Sequence, residues 1–562
     1  MQKKWNVKKY DIEKVEEISN KFNISNNLAK LLISRNIGED EIENFLNGTL
    51  KDLKDPYEIK DMEKIVTRIM NAIDRKEKIC IYGDYDVDGI TSITIMYKFL
   101  RELSADVSYY LPDRLIEGYG VNKDAIKMIA DTGVKLIITV DCGITAVGEI
   151  EFAKELGIDV CITDHHECGD VLPDAFCIVN PKQKDDIFKF KFHAGVGVAF
   201  KCLQAISNRL NMDESSYLKY LDIVAIGTVS DIVPLLDENR IISKYGIKMI
   251  ENTDNVGLRA LLNIVNFKNL DSTMISFGLA PRINACGRMG NASLAVKLFL
   301  EENEEVAREL AITLDKLNSK RQQIEKEIYE SAMKVIEEKK LYNKSSIVLY
   351  NEGWHSGVIG IVASRIVNMY NKPVILLIKE NGMIRGSGRC AKGISLYESL
   401  DKCKEDLIQF GGHELAAGLS MEEENIEKFI YDFENVICEK LGGEELSQVV
   451  DIDFEISLSD LNVELLKDIY TLKPYGQSNR APLFLYRNLR VQAVRTIGDG
   501  KHLKLVLKDK NKYIDVVGFS QGEKRDAITI GDKIDVVCEV ELNEYNGKRT
   551  IQLILQDFKK SI

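Results

Sequence analysis

No apolar run in the 562-residue chain approaches the roughly 20 residues that cross a bilayer, so no membrane role is expected. The first residues, MQKKWNVKKYDIEK, are charged without an apolar core, and no signal peptide is expected. The eleven cysteines are scattered, odd in number and without a CxxC pair. That pattern argues against a disulfide framework or a zinc ribbon and suits a reducing cytoplasm. Cationic charge is short overall: the net charge is −13, which at first sight argues against a nucleic-acid partner. Its distribution weakens that objection. From Thr471 onward 17 Lys and Arg face 11 Asp and Glu, a balance of +6, leaving 58 against 77, or −19, for the rest. A basic C-terminal module on an acidic body is one reading; ordinary surface charge is the other, and composition does not decide between them. With 45% apolar and 29% charged residues, the chain has ample material for cores. Its length suggests about three or four domains.

Against this background one stretch is unusual. KICIYGDYDVDGITS, residues 78–92, places Asp84, Asp86 and Asp88 at alternate positions after a β-type apolar run. Carboxylates that close repel one another unless a cation neutralises them. A calcium-binding EF-hand would read similarly but requires a glutamate where Ile95 stands, and a helix where Ile79–Tyr82 reads as a strand. A carboxylate cluster at the carboxyl end of a strand fits the ligand crevice of an open α/β sheet better.

The surrounding organisation agrees. Residues 1–75 read as short helices with charged faces. From Lys78, KICIYG, DVSYYLP, KLIITVD, DVCITD and FCIVNP alternate with helical segments, which predicts βαβ units and a mainly parallel sheet over 76–300. Residues 301–342 contain some forty residues without glycine or proline, and Leu310, Leu317 and Ile324 recur at sevens. One long connecting helix of roughly 60 Å is expected, with a two-helix hairpin as the alternative. A second α/β module is expected over 343–440. Short strands with turn signals over 445–562, the YNGK hairpin among them, suggest a small barrel, for which an OB-fold is the best fit.

Further polar groups recur where later apolar runs end. LIITVDCG ends in Asp141, VCITDHHE in Asp164, His165 and His166, and VAIGTVSDIVPL reaches Asp231. Strand ends of a parallel sheet gather along one edge, so four segments can supply one crevice. Oxygen ligands mixed with imidazole suit Mn²⁺ or Mg²⁺. Five or more acidic groups suggest two ions, an arrangement that activates water and stabilises the leaving oxygen in phosphoryl displacement.

DYDVDG, VDCG, TDHH and SDIVPL together resemble the successive motifs of the DHH phosphoesterase superfamily. GWHSGVIGIVASRI, GSGR and FGGHELAAG resemble its associated DHHA1 domain. LPDR, AGVGVAF and PRINACGRMG further resemble the RecJ family of 5′-to-3′ single-strand-specific exonucleases, in order along nearly the whole chain. The resemblance implies an α/β fold of two lobes, DHH and DHHA1, joined by a long helix, plus a C-terminal nucleic-acid-binding OB-fold. It implies metal ligands at Asp84, Asp86, Asp88, Asp141, His165 and Asp231, with His166 beside them as ligand or support. Some relatives carry a histidine where this chain has Tyr82, so how Asp84 shares the two ions stays open.

By the same resemblance, Ser387, Arg389 and His413 belong to a substrate face, and Arg114, Arg282 and Arg288 hold DNA phosphates. Taken singly, such arginines are surface or capping residues as readily as ligands. His355 and Ser356 either face substrate or pack a strand-to-helix turn. On the barrel, Lys501, Lys504, Arg549 and Tyr545 are candidates for tracking a single strand, Tyr545 equally for a hairpin role, and His502 reads as surface or DNA-facing. The expected activity is Mn²⁺- or Mg²⁺-dependent release of mononucleotides from the 5′ end of single-stranded DNA in repair and recombination. A single-strand-binding protein and a RecQ-type helicase are the partners implied. Two rivals stand: a phosphodiesterase of short oligoribonucleotides or cyclic dinucleotides, and a non-catalytic replication scaffold.

Overall fold

In the computed structural model the described residues are 3–114, 117, 118, 120–265, 270–380, 382–443, 446–545 and 547–561, the side chains at 545 and 548 excepted. They form two units. One comprises residues 55–231 and 246–447, the other residues 1–54, 232–245 and 448–562. No helix among them is long and apolar enough to cross a membrane.

In the first unit, β-branched runs form strands β1 (Lys78–Gly83), β2 (Val107–Tyr110), β3 (Val134–Val140), β4 (Asp159–Thr163) and β5 (Cys177–Val179). They pair in parallel in the order β2-β1-β3-β4-β5. β1 and β3 are buried at all but one position each, as a parallel sheet covered on both faces requires. The order reverses between β1 and β3, and the carboxyl ends of strands beside such a switch point form the usual ligand crevice of a doubly wound sheet. Asp84 and Asp141 follow those two strands. Helix α1 (Val87–Glu102) leaves β1, and α2 (Gly195–Arg209) and α3 (Leu221–Ser230) pack on it. α3 is apolar nearly throughout and buried at every position through Val229. Such a run has no usable periodicity, which is why VAIGTVSD, read beside the strand ends, is in fact a core helix that delivers Asp231 at its C-cap.

Helix α4 (Ala280–Arg288) leads through a short helix to α5 (Glu304–Glu338), one continuous helix of 35 residues, about 52 Å long. The Asn303 side chain caps it by accepting from the Glu305 and Val306 amides. Its core-facing line runs Ala307, Ala311, Leu314, Ile328, Ala332 and Ile336. The sevenfold line Leu310, Leu317 and Ile324 lies half-buried on its flank. α5 packs on α4 and Val256–Val265 in the first lobe and on α6 (Ser356–Tyr370) in the second.

The second lobe is a sheet of β6 (Ile347–Tyr350), β7 (Val374–Glu380), β8 (Met383–Arg389), β9 (Gln409–Gly412) and β10 (Ala416–Met421), in the order β9-β10-β8-β7-β6. Only β6 and β7 are parallel. α6 lies close on it: a Cβ on Gly360 would stand 2.8 Å from Ser387 Oγ and 2.9 Å from Arg389 Nη2.

In the other unit, β11 (Phe484–Ile497), β12 (His502–Asp509), β13 (Lys512–Gly518), β14 (Lys533–Tyr545) and β15 (Lys548–Lys560) pair in the order β11-β12-β13-β15-β14. The β14–β11 pairing closes them into the expected barrel. The N-terminal segment is not helical throughout: Lys4–Val7 is a strand, paired in parallel with Val449–Ile452. A buried polar hub also ties the first residues to the barrel's approach. Asp453 accepts hydrogen bonds from Ser34 Oγ (2.5 Å) and the Leu483 amide (2.9 Å), and stands 3.7 Å from Arg35 and 3.3 Å from Arg480. Arg35 in turn donates to the Leu31 and Arg480 carbonyls. Removing one partner of a buried pair strands the other charge at a cost of about 3–5 kcal/mol. Asp453→Ala is therefore expected to destabilise this unit by that amount. Urea unfolding followed at Trp5 in a Trp354→Phe background measures it, and an unchanged midpoint would remove Asp453 from this role.

Candidate metal centre and anion pocket

Each ligand candidate is placed by backbone that admits little alternative. Asp84 leaves the end of β1. Asp86 caps α1, accepting from the Asp88 and Gly89 amides at 2.9 and 3.1 Å. Gly89 is required there, because a Cβ would lie 2.2 Å from the Asp84 carbonyl oxygen. Asp88 sits in the first turn of α1 and accepts from the amides of Gly195 (2.6 Å) and Val196 (2.8 Å) at the start of α2. Asp141 adopts φ +61°, a left-handed backbone that aspartate enters only at some cost. A Cβ on Gly195 would stand 2.5 Å from its carboxylate.

The structure brings these groups together with His165, His166 and Asp231. Ligand atoms of Asp84, Asp86 and Asp141, of Asp88, His165 and Asp231, and of Asp141, His165 and His166 lie within 4.8 Å of one another in each set. His165 Nε2 is 3.1 Å from Asp141, 3.6 Å from Asp231 and 3.8 Å from Asp88. Asp164 has a different part. Its carboxylate accepts from the amides of Ile144, His165 and His166 and from His166 Nδ1 at 2.7 Å, so it is occupied in holding the segment.

The electrostatics are those of a centre built around cations. Burial and then neighbouring carboxylates push Asp88 up to about 7 and Asp231 to about 9. The same causes raise Asp84 and Asp141 well above the carboxylate range. Burial lowers His165 to about 3. Burial would also lower His166, but the hydrogen bond and charge of Asp164 outweigh it and raise the imidazole to about 9. Asp84 Oδ1, Asp141 Oδ1 and His165 Nε2 are buried without a hydrogen-bond partner among the described residues. Leaving such atoms unmatched is costly, and a cation is what they lack. Carboxylates with imidazole fit Mn²⁺ or Mg²⁺ in chemistry as well as number.

A cluster of opposite sign lies in the same unit. Arg288 donates to the Gly357 carbonyl (3.0 Å), and Arg389 to the Gly388 carbonyl (2.7 Å) and Ser387 Oγ (3.1 Å). Arg114 lies over the Tyr85 ring, 5.1 Å from its centroid. None of the three has a carboxylate within ion-pairing distance among the described residues. Burial, then repulsion from Arg114, Arg389 and Arg321, lowers Arg288 to about 10. Arg282 stands apart from this set, being paired with Asp315 at 2.9 Å, and Arg321 is paired with Glu325 at 2.6 Å. His413 is exposed between β9 and β10.

His355 caps α6 by accepting from the Gly357 amide at 3.1 Å, and Ser356 bonds Glu380 at 3.0 Å, so both pack the strand-to-helix turn. On the barrel, Lys504 pairs with Asp515 (3.1 Å) and Arg549 with Glu544 (3.2 Å), Lys501 is exposed, and His502 accepts from the Ser520 amide while meeting Phe519 edge-on. The Tyr545 side chain lies outside the described residues. Sequence reasoning passed over Tyr85 and Arg321. Tyr85 stands inside the aspartate motif, where the carboxylates drew attention, and Arg321 on α5 carried no signal beyond helical spacing.

Three family models match the chain: the DHH family N-terminal domain over residues 78–228, the DHHA1 domain over 343–439 and the RecJ OB domain over 452–557. A Bacillus subtilis protein named single-stranded-DNA-specific exonuclease RecJ is 39% identical over 99% of this chain and 70% of its own length. A Haemophilus influenzae protein of the same name is 34% identical over 91% of this chain and 92% of its own. The crystal structure of Thermus thermophilus RecJ in complex with Mn²⁺ superposes with a TM-score of 0.86, at 28% identity, over all of this chain and 80% of that one. The likeness thus runs from one end of the chain to the other, through both lobes, the ligand-bearing motifs and the barrel: this chain belongs to the RecJ family.

Proposed function

We propose that this chain is a Mn²⁺- or Mg²⁺-dependent exonuclease that hydrolyses single-stranded DNA from the 5′ end to mononucleotides in repair and recombination. One observation supports it above the others: buried ligand atoms of Asp84, Asp141 and His165 stand unpartnered amid further carboxylates, in a chain related to RecJ along its whole length. Asp84, Asp86, Asp88, Asp141, His165 and Asp231 would hold two ions. When bound, such ions lower the pKa of water and offset charge on the leaving oxygen. The Asp164 carboxylate accepts from His166 Nδ1 and favours the protonated imidazole, so that Nε2 would carry a proton to donate to the departing 3′-oxygen. Arg114, Arg288, Arg389 and Ser387 would hold strand phosphates, with Arg282 and His413 further out along the path. The ligand carboxylates are recessed, Asp88 and Asp141 being 1% and 2% exposed. A flexible single strand can bring a phosphate into such a recess; a duplex presents its phosphates on the outside of a stiff helix.

We assign the five segments 1–75, 76–300, 301–342, 343–440 and 445–562 as N-terminal segment, DHH domain, connecting helix, DHHA1 domain and nucleic-acid-binding OB domain. The register of the barrel aligns Arg495 with Lys504 and Lys508 with Tyr513 on one face, with Phe519 exposed at its end. Basic residues and aromatics in that arrangement suit a single strand passing over strands β12 and β13. The eleven free cysteines suit the cytoplasm. A single-strand-binding protein and a RecQ-type helicase would supply and expose the substrate.

Two outcomes check this. Asp141→Ala should lower Mn²⁺-dependent nuclease activity at least about 100-fold, more than loss of an outer partner of a metal site costs. Full activity in clean enzyme would remove the ligand assignment. On long single strands blocked at either end, the 3′-blocked strand should be degraded and the 5′-blocked strand should survive. Cleavage confined to chains of a few nucleotides would favour the oligoribonucleotide phosphodiesterase instead.

A further inference from the structure

Tyr85 stands between two ligand candidates, Asp84 and Asp86, yet its ring faces the arginines. The Arg114 guanidinium lies over that ring at 5.1 Å from its centroid, and Arg114 makes no ion pair among the described residues. Arg288 and Arg389 are each anchored by main-chain carbonyls. Among the described residues Arg114 has no such anchor, and it is near enough to both to disfavour their charges. Repulsion of that kind drives an untethered guanidinium outward into water. The aromatic face opposes it, because the electron-rich ring attracts the cation, most effectively away from solvent. The main chain of Tyr85 does a second job. Gly287, beside Arg288 on α4, lies so close that a Cβ there would meet the Tyr85 carbonyl oxygen at 2.8 Å. One residue of the metal-ligand loop therefore seats Arg114 through its ring and the helix bearing Arg288 through its backbone.

We propose that Tyr85 is a positioning residue that keeps Arg114 turned toward Arg288 and Arg389, so that three guanidiniums present one anion site in fixed relation to the metal ligands. This rests on the reading of Arg114 as a phosphate-holding group. Tyr85 itself does not touch the reacting atoms. Its loss weakens the hold on the strand and leaves the chemical step in place.

The test uses the full-length protein with Mn²⁺ and a long single strand. Tyr85→Leu should raise KM roughly tenfold, the size of a desolvated cation–π contact, with kcat and calorimetric Mn²⁺ affinity near those of the unaltered protein. Tyr85→Phe should restore KM, since the ring and not the hydroxyl is at work. Arg114→Ala should raise KM at least as much, and Tyr85→Leu should add nothing in that background. If Arg114→Ala leaves KM unchanged, the phosphate-holding reading of Arg114 fails and the inference falls with it. If Arg114→Ala raises KM but Tyr85→Leu does not, the inference alone fails. A Tyr85→Leu protein that loses Mn²⁺ affinity while keeping its KM assigns the residue to the ligand loop and overturns the proposal. So does a Tyr85→Phe protein that behaves like Tyr85→Leu.

Discussion

Holding Asp84, Asp88 and Asp141 away from water, with Asp231 and the His165 imidazole beside them, is unfavourable unless positive charge is placed among them. The chain nevertheless invests several separate devices in doing so. The amides that open α2 fix Asp88, a left-handed backbone aims Asp141, Gly195 clears the space beside it, and the end of α3 delivers Asp231. Asp164 ties the His165–His166 segment to the Ile144 amide through four hydrogen bonds. The doubly wound sheet serves this arrangement, because its switch point sets Asp84 and Asp141 at the ends of adjacent strands.

The positive cluster poses the same problem with the sign reversed. Arg282 and Arg321 have carboxylate partners on or near α5 and serve to pack that helix. Arg114, Arg288 and Arg389 have none among the described residues, although carboxylates in excess stand on the motif that includes Tyr85. On the proposed function, two opposite clusters held apart in one fold would be matched by something that carries both signs. Divalent cations together with a phosphodiester strand meet that description: the ions match the carboxylates, and the phosphates match the guanidiniums.

Much of this was legible in the sequence because each signal was local. Asp84, Asp86, Asp88, Asp141 and the Asp164–His166 triplet all follow strands whose apolar runs are unmistakable, and the five strands of the parallel sheet lie where those runs predict. The 35-residue helix was visible in its lack of glycine and proline. What sequence could not give was contact across distance. Asp231 stands at the end of a helix that is apolar on every side, so its periodicity separates neither helix from strand nor core from edge. Arg282 and Arg288 sit six residues apart in one motif, yet one is neutralised by Asp315 and the other is not, a difference that depends on how α4 meets α5. The placement of Lys4–Val7 beside Val449–Ile452 joins residues over 440 positions apart and leaves no mark in either segment.

The net charge of −13 is reconciled with a polyanionic substrate by where the charge lies. Five of the acidic groups counted in that total are the ligand candidates themselves, recessed and matched to cations, so they confront a strand's phosphates only through those ions. Arg114, Arg288 and Arg389, which would meet the strand directly, are partly buried and form no ion pair among the described residues, so each would act on a phosphate with less screening than a surface lysine. Bulk charge governs the long-range approach of a strand, which the body of this protein does little to favour. On the proposed function, the +6 balance beyond Thr471 would supply that approach locally, on the barrel that carries the Lys508–Tyr513 contact.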